Sequence, residues 1–207
     1  MTQMRFDNTQ VFNIEGALRG MRYPMKGVGD TQGDVIGELD MVVATKLWNA
    51  SEIDNLAHSK FLRQILVSVD ITAPIYFWAE MDTYKVGTTA NSESTMHKLN
   101  TDAKLLVLAD FQCDPELNDF MQNIILPKMM EIAETPDYKI AKRRRLLKQL
   151  LPGSYLQKRH WTANYEIIRN IFNQRYNHRL TEWSVDFVKW ARSLPYAKEF
   201  LTKRENK

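Results

Sequence analysis

The sequence predicts an α+β fold: a β-sheet packed with long helices, with a C-terminal half that is mainly helical. Two observations carry this. In Phe61–Ile71, Ile65, Val67, Val69 and Ile71 alternate with Leu66, Ser68 and Asp70, the period-two pattern of a strand with one polar-edged face. From Asp114 onward the chain instead reads as a series of helices separated by proline and polar turns.

The elements follow in order. Val11–Leu18 alternates enough to predict an opening strand. Gly20, Gly27, Gly29 and Gly33, with Gly37 just after, predict a loop; without Walker or dinucleotide spacing a plain loop is favoured over a phosphate cradle. Asp34–Asn49 places Leu39, Val42, Val43, Leu47 and Trp48 at helical spacing. After the strand at Phe61–Ile71, Ala73–Asp82 predicts a short aromatic helix, and Thr83–His97 a polar binding loop. Asp114-Pro115-Glu116 has an N-cap residue before a first-turn proline. It predicts a helix to about Thr135, broken near Pro127. Pro136-Asp137 opens another to Leu151; Trp161-Thr162-Ala163-Asn164 starts a helix pattern reaching Arg175, with a helix read over Tyr165–Tyr176. Thr181–Arg192 closes the helical series and Thr202–Lys207 frays. No repeat or low-complexity linker interrupts the chain. The expected organisation is one domain over 1–207, strand-rich in 1–100 and helical in 101–207.

A chain of 207 residues with 44% hydrophobic content and five Trp can build a proper core. A net charge of +3 is compatible with an anionic ligand and does not call for nucleic acid. Cys113 is the only cysteine, which excludes an intrachain disulfide and a cysteine-based metal site. The first residues lack an apolar signal segment, and no run of ~18 apolar residues is present. The expectation is a cytoplasmic protein with no membrane partner.

The stretch Lys148–Arg175 is the most informative. Asn164 and Arg175 are eleven residues apart, about three turns at ~3.6 residues per turn, with Ile168 and Ile171 between them on the same face. An apolar stripe ending in a guanidinium suggests an anion or nucleotide pocket, since core packing alone does not ask for arginine.

Lys148, Pro152, Trp161, Thr162, Asn164, Asn170, Arg175, His178 and Glu182 together resemble the C-terminal half of the flavin-dependent thymidylate synthases, the thymidylate-synthase-complementing or ThyX-like family. The spacing from Pro152 to Arg175 needs no gap. Ile71-Thr72-Ala73-Pro74-Ile75-Tyr76 is similar to the start of that family's signature helix, and the two matches cover roughly half the chain. The stretches GALRGMR, ITAP and TYKVGT also resemble proteins of phages and prophages.

The chain departs from the family at its signature. The Arg-His-Arg motif falls on Thr83-Tyr84-Lys85, the signature serine on Thr88, and the substrate-binding arginine on Thr95 or Met96. The family's glutamine becomes Glu80, and Glu166 falls where the family has an arginine. A negative charge there counts against flavin phosphate or ribitol contacts.

The resemblance implies that Arg175 and Lys148, with Glu80, Lys85, Thr88 and Ser94, bind a substrate of the dUMP class. It implies that Asn164, Asn170, His178 and Tyr84 contact FAD. Each has a plainer alternative. Arg175 could pair with Glu182; Lys148 could be a solvated lysine, without the arginine fork. Asn164 could cap a helix. Asn170 could be an ordinary helix polar residue, His178 a surface residue, and Tyr84 core. The Thr88–Thr95 hydroxyls could belong to a solvated turn. Glu80, Asp82 and Glu93 could form an acid pair or a Mg²⁺ site, without anything in the spacing to fix their geometry. His58 precedes the strand as a family histidine does, and a structural role is the simpler one. Lys142-Arg143-Arg144-Arg145 reads as a solvated helix face that could border an anionic pocket.

Two functions follow. One is a divergent transferase of a one-carbon group to a pyrimidine deoxynucleotide, with FAD as cofactor and sites built between subunits of a homotetramer. The other is a catalytically inactive nucleotide-binding protein on the same scaffold, with a phage sequestration or anti-defence role. A metal is not expected, and no catalytic residue is assigned.

Overall fold

The computed structural model describes residues 4–24, 36–51, 57–95, 98–99 and 105–202. Gly27, Gly29 and Gly33 of the glycine-rich segment, Met96, His97 and most of the C-terminal tail lie outside the described residues.

The elements run β1 (Arg5–Phe12), α1 (Ile14–Arg22), α2 (Glu38–Ser51), a 3-10 segment (Ala57–Gln64), β2 (Leu66–Pro74), α3 (Ile75–Met81) and β3 (Thr89–Ser92). There follow α4 (Pro115–Phe120), a π segment (Met121–Ile125), α5 (Leu126–Glu134), α6 (Ile140–Leu150) and β4 (Leu156–Asn164). The chain closes with α7 (Tyr165–Arg175), a second π segment (Glu182–Phe187), α8 (Val188–Ser193) and α9 (Ala197–Phe200). The four strands form one antiparallel sheet in the order β1-β2-β4-β3. The fold is α+β, as the sequence predicts.

The chain divides into two compact units, and each draws on both halves of the sequence. One comprises 1–5, 71–83 and 91–160; the other comprises 6–70, 84–90 and 161–207.

In the first unit, Leu99, Phe111, Met121, Met129, Leu147 and Tyr155 make a core under α5 and α6. Phe111 and Tyr155 meet edge to face at 5.6 Å beside an isolated antiparallel bridge. Pro74 caps α3 in extended geometry. The first helical amides are satisfied from outside the helix: Ile75 N–H donates to Tyr155 O and Tyr76 N–H to Gly153 O, both at 3.1 Å. Pro127 does not break its helix. It has no N–H, and its ring would crowd the carbonyl of Asn123; the widened π turn at Met121–Ile125 absorbs the misfit.

In the second unit, α1, α2 and α7 all pack on the 3-10 segment, through buried Phe61 and Leu62. β1 is tied down by Trp190, whose ring stacks on Phe6 at 4.8 Å and whose Nε1 donates to Thr9 Oγ1 at 3.1 Å.

Several element boundaries differ from expectation. The first strand ends at Phe12, and Ile14–Arg22 is a helix with Ile14, Ala17, Leu18 and Met21 on its buried face. Phe61–Gln64 is 3-10, and the strand starts only at Leu66. Trp161–Asn164 is the end of β4, where Trp161 and Ala163 point inward, and α7 starts at Tyr165.

Candidate functional site

Arg175 ends α7, where a cation suits the negative end of the helix dipole. Its Nε donates to the Tyr84 hydroxyl at 2.9 Å. Its guanidinium carbon lies 4.8 Å from the Trp183 ring centroid and 5.5 Å from that of Tyr84. Nη1 is 3.0 Å from His178 Nε2. These contacts hold a half-buried guanidinium against two aromatic rings.

The backbone explains the clustering. His178 N–H donates to Arg175 O at 2.9 Å, closing the turn after α7, and the π segment then brings back Trp183, which is fully buried. Leu180 N–H donates to His178 Nδ1 at 3.2 Å. The Tyr84 hydroxyl donates onward to Gln174 Oε1 at 2.9 Å.

The structure therefore brings Arg175, His178 and Tyr84 together. Trp183 and Gln174 join them unforeseen by sequence. Gln174 is the sequence neighbour of Arg175, but the proximity of Trp183 depends on a turn that residue spacing does not reveal. In the same unit, Thr88 Oγ1 donates to Tyr84 O, and Gly87 sits at φ 71°, the left-handed region that favours glycine. A Cβ there would meet Ile167 Cδ1 at 2.5 Å. Lys85 is exposed.

Asn164 is the N-cap of α7. Its Oδ1 accepts from Ile167 N–H at 3.0 Å, so the amide sits at the helix start and not on the helical face. Asn170 is half-buried on α7. Glu166 is 8% exposed and chelated by Arg63, with Nε at 2.6 Å and Nη2 at 3.1 Å.

The remaining candidates belong to the first unit. Lys148 is exposed on α6 and lines an open groove there. Glu80 is half-buried, and its carbonyl accepts from Thr83 Oγ1 at 2.7 Å. Ser94 is exposed. Asp82 takes Arg159 Nη1 at 2.8 Å, and Arg159 also lies flat over Trp78 at 4.3 Å. Glu93 pairs with Lys98 at 3.0 Å. Asp82 and Glu93 are thus held by cations, and no group of three or more His, Cys, Asp or Glu among the described residues could hold a metal ion.

Several positions tied by resemblance to flavin make other contacts in the structure. One amide oxygen is spent on a helix cap, the acid at 166 is locked to Arg63, and the Arg-His-Arg positions carry a threonine, a tyrosine engaged with Arg175, and an exposed lysine. No helix among the described residues is long and apolar enough to cross a membrane.

No family model matches the chain, and no curated protein matches it. Solved structures do. Thymidylate synthase X from Helicobacter pylori, with FAD and dUMP, superposes with a TM-score of 0.72 over 97% of both chains at 16% identity. A second structure, of the flavin-dependent thymidylate synthase of H. pylori complexed with FAD and dUMP, gives 0.73 at 16% identity, covering 97% of this chain and 99% of that one. The chain has the thymidylate synthase X fold. A UMP/dUMP methylase from Streptomyces cacaoi bound with 5-Br dUMP shares it at a TM-score of 0.64 and 13% identity, over 96% of this chain and 94% of that one.

Proposed function

We propose that this chain binds a pyrimidine deoxynucleotide of the dUMP class, with Arg175 as the ligand of its phosphate. The observation that carries this is the orientation of the Arg175 guanidinium by Tyr84, His178 and Trp183 at a helix end. A planar fork held in this way suits bidentate recognition of phosphate. Lys148, Glu80, Lys85, Thr88 and Ser94 are the further candidates for substrate contact, in an assembly that by resemblance is a homotetramer with sites built between subunits. In this reading the protein would act in the cytoplasm, and its biological role would be nucleotide capture, of the kind that serves phage sequestration or anti-defence.

One observation favours a second function, flavin-dependent one-carbon transfer to the nucleotide: two similar structures hold FAD together with dUMP. Asn164, Asn170, His178 and Tyr84 would then be the residues near FAD. Against it stand the hydrogen bonds already made by Asn164, His178 and Tyr84 and the acid at Glu166.

A visible absorption spectrum of freshly purified protein, with and without added FAD, separates the two. Nucleotide released on denaturation is assayed alongside. Nucleotide without a flavin band supports capture. A stoichiometric flavin band supports the transferase and overturns capture as the sole role. Neither, together with no binding of added dUMP, overturns both.

A further inference from the structure

The turn between α3 and β3 touches α7 near both of its ends. At the start of that helix, a Cβ on Gly87 would fall 2.5 Å from Ile167 Cδ1 and 4.0 Å from Asn164 Nδ2. At the last turn, the Tyr84 hydroxyl accepts from Arg175 Nε and donates to Gln174 Oε1, each at 2.9 Å. Burial of the intervening side chains does not hold the turn in shape, since Lys85 is exposed and Val86 is 89% exposed. Two local features shape it instead. Gly87 sits at φ 71°, which lets the chain reverse closely against α7. Thr88 Oγ1 donates to Tyr84 O at 2.5 Å, a side-chain bond back across four residues that closes the turn.

That bond limits what the Thr88 hydroxyl can do. A threonine hydroxyl has one proton, and a phosphate offers only acceptors. Here the proton is spent on a backbone carbonyl, and the carbonyl belongs to the residue whose side chain holds Arg175. We propose that Thr88 is a positioning residue for Arg175: it fixes the backbone of Tyr84, and the Tyr84 hydroxyl in turn holds Arg175 Nε. That the arginine so held meets a nucleotide phosphate rests on the function proposed above. Thr88 then acts on the nucleotide through Tyr84 and not by donating to it.

The test uses the full chain as wild type, Thr88→Val, Thr88→Ser, Tyr84→Phe and the Thr88→Val/Tyr84→Phe double variant. Thermal unfolding confirms that each folds; if Thr88→Val does not, Thr88→Ala removes the same hydroxyl without the added methyl. Exchange of the Arg175 Nε proton with water, read by nitrogen-15 NMR, needs no ligand. It should be about two- to fivefold faster in Thr88→Val, the worth of part of one hydrogen bond, and close to wild type in Thr88→Ser, which keeps the donor. Calorimetric titration with dUMP should show a loss of affinity of about the same two- to fivefold in Thr88→Val, restored in Thr88→Ser. Most of that loss should vanish in the Tyr84→Phe background, because the hydroxyl through which Thr88 acts is already gone. Wild-type Nε proton exchange in a folded Thr88→Val protein overturns the proposal, since Thr88 would then only close a turn. An equal loss of dUMP affinity with and without the Tyr84 hydroxyl also overturns it, since Thr88 would then act on the nucleotide independently. If the wild type binds no dUMP, the phosphate assignment of Arg175 falls, and faster Nε proton exchange in Thr88→Val still upholds the positioning role.

Discussion

Arg175 Nε donates to the Tyr84 hydroxyl across 2.9 Å, joining the end of α7 to the loop after α3. The loop after α3 thus contributes, through Tyr84, to orienting Arg175. Tyr84→Phe keeps the ring and removes the acceptor. Its dUMP dissociation constant should rise about three- to tenfold, the worth of one hydrogen bond, with a stability change of no more than about 1 kcal/mol. Titration calorimetry and chemical denaturation check the two halves of this expectation. A larger fall in stability with unchanged affinity would make Tyr84 a packing residue only.

Gly87 faces the start of α7 from the same loop. Gly87→Ala adds a Cβ 2.5 Å from Ile167 Cδ1 at a backbone φ of 71°. It should cost about 1–3 kcal/mol, part conformational and part steric. Ile167→Val removes the clashing methyl, so the double variant should recover the steric part and keep the conformational part. A double-mutant cycle reads the coupling; strict additivity would show that the loop simply moves aside.

The sheet and helix character of the chain was legible from periodicity: Val67, Val69 and Ile71 marked β2, and Ile168 and Ile171 marked α7. β4 was not legible, because Lys158, Arg159 and His160 interrupt its alternation and Trp161-Thr162-Ala163-Asn164 suits a helix start equally well. Its strand state comes from pairing within the sheet, which no local pattern encodes. Likewise α1 was read as strand: Val11–Leu18 joins the end of a strand to the start of a helix, with Asn13 between them at φ 66°. At the candidate site, spacing singled out Arg175, but it put Asn164 on the helical face where the structure makes it the helix cap. Trp183 and the Arg63–Glu166 pair were not, since they depend on turns and long-range packing.

Glu166 stands where the resembled family has an arginine, and Arg63 chelates it. Arg63→Ala would leave a nearly buried carboxylate unpaired. Arg63 itself is half-exposed, so the cost should be about 1–2 kcal/mol and not the full value of a buried pair. Removing both charges together in Arg63→Met/Glu166→Gln should restore part of it in denaturant titrations. A neutral Arg63→Ala would assign the pair to solvent.

Tyr165 donates its hydroxyl to Pro195 O at 2.7 Å, and burial pushes its phenol well above the ordinary range. The folded pKa exceeds the unfolded one, about 10. The contribution is complete below that value and is lost as pH rises toward and through the folded pKa, because the unfolded chain ionises first. Stability measured by denaturant should therefore fall above about pH 10. Tyr165→Phe should lose about 1 kcal/mol at neutral pH and show a shallower alkaline decline. Parallel curves for the two proteins would contradict this.

The most direct measurement is calorimetric titration of dUMP into the wild type and into Arg175→Ala, at one ionic strength, with thermal unfolding run on both. The expected result is saturable binding to the wild type and a loss of at least about tenfold in Arg175→Ala, as for a charge-assisted contact, with the fold intact. Unchanged dUMP affinity in a folded Arg175→Ala protein would contradict the assignment of Arg175 as the phosphate ligand.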